Sequence, residues 1–136
     1  MKPKFVNFTE ISDERGKLII AEGLDHINFN PKRIYYIQDV PGSIERGFHA
    51  HKALKQVATC IKGSCSIILD DGCSPIESIK LSKPSIGLII DPMVWHYMKD
   101  YSEDCILLLY ANEHYDEEDY IRSYEAFKKL VKAKIC

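Results

Sequence analysis

Two histidines one residue apart, His49 and His51, sit in the stretch RGFHAHKALKQVATCIKG, just ahead of an apolar, strand-like run. In an extended strand, residues i and i+2 point to the same face. The two imidazoles therefore project together, while Phe48 and Ala50 face the other way. Such a pair suits two chemistries. It can hold a divalent metal as neutral ligands, or it can take and return protons near neutral pH. A third arrangement, two surface histidines beside Lys52, does neither. Where a third ligand is expected, five residues after His51, stands Gln56, and a further candidate, His96, lies in GLIIDPMVWHYM behind Gly87 and Pro92. A neutral amide oxygen is a weaker ligand than a carboxylate and leaves a divalent charge unneutralised. Three histidines would still suffice for zinc.

The elements that position these residues are short. From residue 3 to about 112, runs such as KFVNF, KLIIAE, RIYYIQDV, QVATCIKG, CSIILDD, IESIKLS, IGLIID and CILLLYAN alternate with the turn signals DERG, VPGS, KGS, DDG, KPS and DPM. Many brief β-type segments with Gly and Pro punctuation predict an all-β antiparallel sandwich or barrel. One tight hairpin is expected around Lys62-Gly63-Ser64 and a second around Asp71-Gly72. In KRIYYI, Arg33 and Tyr35 share one face, with Ile34 and Tyr36 on the other. The period then changes. Tyr120, Tyr124, Phe127 and Val131 recur at helical spacing, with acids Asp116 to Asp119 first and lysines last, which predicts one C-terminal α-helix over about 116–134.

The chain has 136 residues, 46% hydrophobic and 28% charged, and fits a single domain over 1–136. Its 18 basic and 20 acidic residues leave a formal charge of −2, which argues against a nucleic-acid-binding surface. The opening MKPKFVNFTE lacks the apolar run of a signal peptide, and no segment reaches membrane-spanning length, so a cytoplasmic protein with no membrane partner is expected. The five cysteines lack Cys-x-x-Cys spacing and read as free thiols, with Cys60 and Cys105 as small core residues.

The order G-x-H-x-H, a polar residue, Gly63, and then G-x4-P-x3-H resembles the two motifs of the cupin superfamily. In metal-binding cupins the matching positions carry His, His, Glu and His; here they are His49, His51, Gln56 and His96. The longer segments KRIYYIQDV, RGFHAHKALKQV, GSCSIILDDG, GLIIDPMVWHYM and YDEEDYIRSYEAFKK together resemble the nucleotide-sugar 3,4-ketoisomerases. That resemblance implies a small cupin-type antiparallel β-barrel (jelly roll) and a homodimer that exchanges N-terminal strands. It also implies catalysis without a metal or cofactor. The substrate would be dTDP-4-keto-6-deoxy-glucose, on the route to 3-amino sugars of bacterial surface glycans such as lipopolysaccharide or S-layer glycans.

Moving the ketone from C4 to C3 requires removal of the C3 proton, an enediol, and protonation at C4. Neutral imidazoles serve both halves. On this reading His51 is the leading base at C3 and His49 its partner, although two histidines on one face can exchange these roles. Gln56 or a protonated histidine would polarise the carbonyl. Arg15, Arg33, Arg46 and Lys52 are candidates for the diphosphate, Tyr35 for the pocket wall, and Trp95 for the wall or the core. DERGK and VWHYM, through Arg15 and His96, resemble the galacto-forming members and point to dTDP-3-keto-6-deoxy-galactose. Three other readings stand beside this one: a metal-dependent cupin enzyme with His49, His51 and His96 as ligands, a non-catalytic sugar-nucleotide-binding cupin, and a 3,5-epimerase of similar fold.

Overall fold

The computed structural model describes residues 1–134. Twelve strands run in chain order: β1 Phe5–Asn7, β2 Thr9–Asp13, β3 Gly16–Ile20, β4 Arg33–Gln38, β5 Arg46–His51, β6 Gln56–Lys62, β7 Cys65–Asp70, β8 Glu77–Leu81, β9 Ile86–Ile90, β10 Trp95–Lys99, β11 Ile106–Ala111 and β12 Tyr120–Ile121. They form two five-stranded antiparallel sheets, ordered β1-β9-β6-β11-β4 and β12-β5-β10-β7-β8, and a separate β2-β3 ribbon. The two sheets lie face to face. Leu88, Leu107, Leu109, Ala58 and Cys60 of the first meet Ile67, Leu69, Leu81 and Met98 of the second in one buried cluster. Each fully buried Leu or Ile contributes roughly 1.5–3 kcal/mol of transfer free energy. In β11 the alternation is strict, with Leu107, Leu109 and Ala111 buried and their neighbours half-exposed.

The expected jelly roll with one C-terminal helix is therefore present. Its sheets pack as a sandwich and are not joined by a hydrogen-bonded seam among the described strands. Asp71-Gly72 does lie in a hairpin loop, between the paired β7 and β8. The turn at Lys62-Gly63-Ser64 does not make a hairpin: β6 pairs with β9 and β11, whereas β7 pairs with β8 and β10. This turn carries the chain from one sheet to the other. It is pinned where the Ser102 N–H donates to the Ser64 carbonyl at 2.8 Å.

The helix, α1, spans Tyr124–Lys132 and is shorter than the expected stretch of about 116–134. Ser123 caps it by accepting from the Ala126 N–H. The acids ahead of it make a 3₁₀ turn over Glu117–Asp119, and Tyr120–Ile121 then pair with β5 instead of continuing the helix. Phe127 and Val131 of α1 pack with Ala50, Trp95 and Ile121 in a second cluster behind the histidine strand. Trp95 is thus a core residue. Among the cysteines, Cys60, Cys65 and Cys105 are free and buried, Cys73 is not among the free thiols, and Cys136 lies outside the described residues.

Candidate active site

Strand β5 and strand β10 place His49 directly opposite His96. A bulge shapes this pairing. Gly47 has φ +112° and Phe48 φ +57°, and the register shifts between His96 and Tyr97. A Cβ on Gly47 would come within 2.9 Å of the Tyr97 Cα, so only glycine lets the two backbones approach this closely. Beyond the bulge His49 and His51 share a face, as the alternation predicts, and Ala50 points back into the core.

The three imidazoles form one cluster. His49 lies 4.9 Å from His51 and 4.7 Å from His96, ring centre to ring centre. His51 and His96 are almost fully buried. Burial pushes the His96 pKa down to about 3, and the neighbouring His49 adds to the effect. Burial and then His49 push His51 down to about 4, against the opposing pull of Asp119. Burial also lowers His49. All three are neutral at physiological pH.

Two of the rings have fixed tautomers. His96 Nδ1 lies 3.1 Å from the Val94 carbonyl, which can only accept, so Nδ1 carries the proton and Nε2 is left free. His51 Nδ1 lies 3.2 Å from Asp119 Oδ2. That carboxylate is itself held, accepting from the Ala53 N–H at 2.8 Å and the Leu54 N–H at 3.2 Å. An acceptor fixed in this way selects the Nδ1–H form of His51 and leaves Nε2 as a base. By contrast, His49 Nδ1 is buried with no hydrogen-bond partner among the described residues.

Beside the cluster is a cavity of about 400 Å³ lined by Arg33, His51, Leu54, Tyr115, Asp119 and Tyr120, among others. Tyr120 packs against His51 at 4.4 Å and His49 at 5.0 Å between ring centres. The Arg33 guanidinium lies 5.1 Å from the Tyr35 ring and 5.8 Å from the Tyr115 ring. The Tyr35 hydroxyl donates to Gln56 Oε1, and burial raises the tyrosine pKa. Ile34 and Tyr36, on the opposite strand face, are exposed.

The fold thus brings His49, His51 and His96 together, puts Arg33 in the cavity wall, and couples Tyr35 to Gln56. Arg46 and Lys52 are exposed and absent from that wall. Arg15 is 84% exposed at the β2–β3 turn, paired with Asp13 at 2.7 Å. Sequence reasoning missed Asp119, Tyr120 and Tyr115. Their segment, YDEEDY, reads as a helix start, and only its pairing with β5 brings it to the histidines. As a metal site the cluster has the right nitrogens, with one ligand atom from each histidine within 4.8 Å of the others. Gln56, however, offers no charge, and its oxygen is already engaged by Tyr35.

Known proteins share this chain's sequence family and fold. Residues 1–132 match the FdtA family, described as WxcM-like, C-terminal. The chain is 50% identical over 135 residues to a TDP-4-oxo-6-deoxy-alpha-D-glucose-3,4-oxoisomerase of Aneurinibacillus thermoaerophilus, covering 99% of this chain and 96% of that protein. It superposes with a TM-score of 0.95 and 42% identity on QdtA, a sugar 3,4-ketoisomerase of Thermoanaerobacterium thermosaccharolyticum in complex with TDP, covering 98% of this chain and 97% of that one. A 3,4-ketoisomerase of Helicobacter canadensis superposes with a TM-score of 0.92 at 44% identity over 97% of this chain and 98% of that one. QdtA is also known as a histidine-to-asparagine variant with TDP-4-keto-6-deoxyglucose and as a double variant, tyrosine to arginine and arginine to histidine, with TDP. With a family match over nearly the whole chain and full-length relatives of one activity, this protein is an isomerase that belongs to the sugar 3,4-ketoisomerase family.

Proposed function

We propose that the protein converts TDP-4-keto-6-deoxyglucose to the 3-keto sugar by proton transfer through an enediol, with His49 and His51 as the catalytic pair. One observation carries this reading: three neutral imidazoles meet beside a cavity, and His51 is held by Asp119 with its Nε2 free. His51 Nε2 removes the C3 proton, electrons move into the C3–C4 bond, and the C4 oxygen gains a proton. Reprotonation at C4, with loss of the C3 hydroxyl proton, completes a step in which nothing is oxidised overall. His49 handles the oxygens. The reverse order of the two histidines has one observation in its favour, the unpartnered Nδ1 of His49. Arg33, with the aromatic rings of Tyr35 and Tyr115 beside it, is the cation for the diphosphate.

Turnover in deuterated water, followed by NMR, tests the reaction. A new keto sugar carrying deuterium at C4 is expected, and no product from the wild-type protein would refute it. His51→Asn should abolish exchange at C3 while leaving TDP binding intact. Loss of that exchange in His49→Asn alone would reverse the two roles.

The galacto product follows from Arg15 and His96. These are the residue types introduced together in the QdtA double variant. The double change Arg15→Tyr, His96→Arg is expected to turn the product toward the gluco form, read by coupling constants; an unchanged product would refute the assignment. Arg15 reaches a substrate in this reading only across a homodimer. The β2-β3 ribbon joins neither main sheet and exposes Ile11 and Leu18, as expected of a segment lent to a partner. Light scattering should give twice the chain mass. We place the enzyme in the cytoplasm, on a route to 3-amino sugars of surface glycans. No helix among the described residues is long and apolar enough to cross a membrane.

A further inference from the structure

A second cluster of ligating side chains lies at the other end of β6. Cys60 is four residues along the strand from Gln56, roughly 13 Å away, and ketoisomerisation makes no use of it. The turn that carries the chain between sheets sets Cys60 across from Cys65 at the start of β7, and Cys105 enters just ahead of β11. One sulfur from each lies within 4.8 Å of the other two. Cys60 Sγ is 3.4 Å from Cys105 Sγ and donates to the Lys62 carbonyl at 3.3 Å. The three side chains are 0%, 1% and 3% exposed.

Three small thiols can share a core simply as apolar filler. Two observations go beyond that. Sulfurs bound to one tetrahedral ion at about 2.3 Å stand roughly 3.8 Å apart, within the range found here. A polar group also shares their buried cluster: the Tyr101 hydroxyl is buried and makes no hydrogen bond among the described residues, in a side chain only 5% exposed. The charged and titratable groups acting on it are Cys65, Arg46, Cys105 and Cys60. An unsatisfied buried hydroxyl costs about 1–3 kcal/mol unless something at the site takes it up.

We propose that Cys60, Cys65 and Cys105 form a binding site for a soft divalent cation of the zinc class, with the Tyr101 hydroxyl as its fourth donor. Three thiolates and a neutral phenol around a divalent ion leave one excess negative charge, and the Arg46 guanidinium, one of the charges acting on Tyr101, opposes it. Thiol protons leave to solvent as the metal enters. The site spans both sheets and the preceding turn, so its occupation clamps the sandwich.

The test is a cobalt(II) titration of the fully reduced protein, with its thiols counted beforehand. The histidine cluster can also take cobalt, but only sulfur ligands give the near-ultraviolet sulfur-to-cobalt charge-transfer band. We expect that band to saturate at one equivalent, to bleach when zinc is added, and to survive in Cys73→Ser. In Cys65→Ser and Cys105→Ser it should need at least about 100-fold more cobalt. Absence of the band in reduced wild-type protein overturns the proposal. So does its persistence in a natively folded Cys65→Ala, Cys105→Ala variant, or its loss in Cys73→Ser. Should the double variant fail to fold, Tyr101→Phe replaces it: the band must shift in energy or weaken, and an unchanged spectrum removes Tyr101 from the site.

Discussion

Asp119→Asn isolates what the carboxylate does for His51, because it keeps the shape and changes one atom. In the native site Oδ1 accepts from the Ala53 N–H, and Oδ2 accepts from the Leu54 N–H and faces His51 Nδ1 at 3.2 Å. Asparagine has one oxygen for these duties. If the oxygen stays on Ala53, the amide NH₂ faces both the Leu54 N–H and His51 Nδ1. The imidazole then moves its proton to Nε2, the atom needed as base. Restoring the working tautomer sets donor against donor, at about 1–3 kcal/mol. Loss of the full negative charge adds up to about 4 kcal/mol at roughly 4 Å in a partly buried setting. At 1.36 kcal/mol per decade, the tautomer cost alone should lower kcat by about 5- to 150-fold, and the lost charge should take the fall to at most about 100,000-fold, with a smaller change in KM. The acid limb of kcat/KM should move to lower pH, because Asp119 now holds the His51 pKa up against burial. Steady-state kinetics across pH, with circular dichroism to confirm the fold, reads both effects. A kcat within about threefold of wild type, or an acid limb that stays in place or rises, would refute the orienting role.

The neutral cluster also predicts acid sensitivity. The folded pKa values of His51 and His96, about 4 and about 3, lie below the ordinary 6.5. Stability is therefore complete above pH 6.5 and declines as pH falls below it, by up to about 1.4 kcal/mol per pH unit for each histidine. Urea melts at pH 7 and 5 measure this, and His96→Asn should reduce the slope. Gln56→Glu puts a carboxylate where metal-binding cupins have one. Calorimetric zinc affinity at the histidine cluster should rise at least about 10-fold, while isomerisation slows. Gly47→Ala forces a Cβ to 2.9 Å from the Tyr97 Cα at φ +112°. It should cost at least about 2 kcal/mol in urea unfolding, and turnover should fall with it as His49 and His96 lose register.

Much of this site is legible wherever strand alternation alone decides. The shared face of His49 and His51, the inward Arg33 and Tyr35, and the outward Ile34 and Tyr36 all follow from a period of two. The arrival of His96 is not local, and it rested on motif spacing. Asp119 was hidden for a physical reason. Its acidic run satisfies a helix N-terminus as well as a 3₁₀ turn, and pairing of Tyr120 and Ile121 with β5 overrides the helical period. The Lys62-Gly63-Ser64 turn misleads in a similar way. Turn chemistry reports that the chain reverses, whereas packing between the sheets decides whether the flanking strands then pair.

The connectivity that builds the site also governs how quickly it forms. Among the described strands, only β2-β3 and β7-β8 join neighbours in the chain. The contact between His51 and Asp119 closes over 68 residues. Loop-closure entropy precedes any reward from such pairings, which places folding on the millisecond-to-second scale typical of all-β sandwiches. Until the segment carrying Asp119 docks, His51 has no acceptor behind it. Recovered activity therefore reports closure of this long-range contact, which recovered β-structure by itself does not.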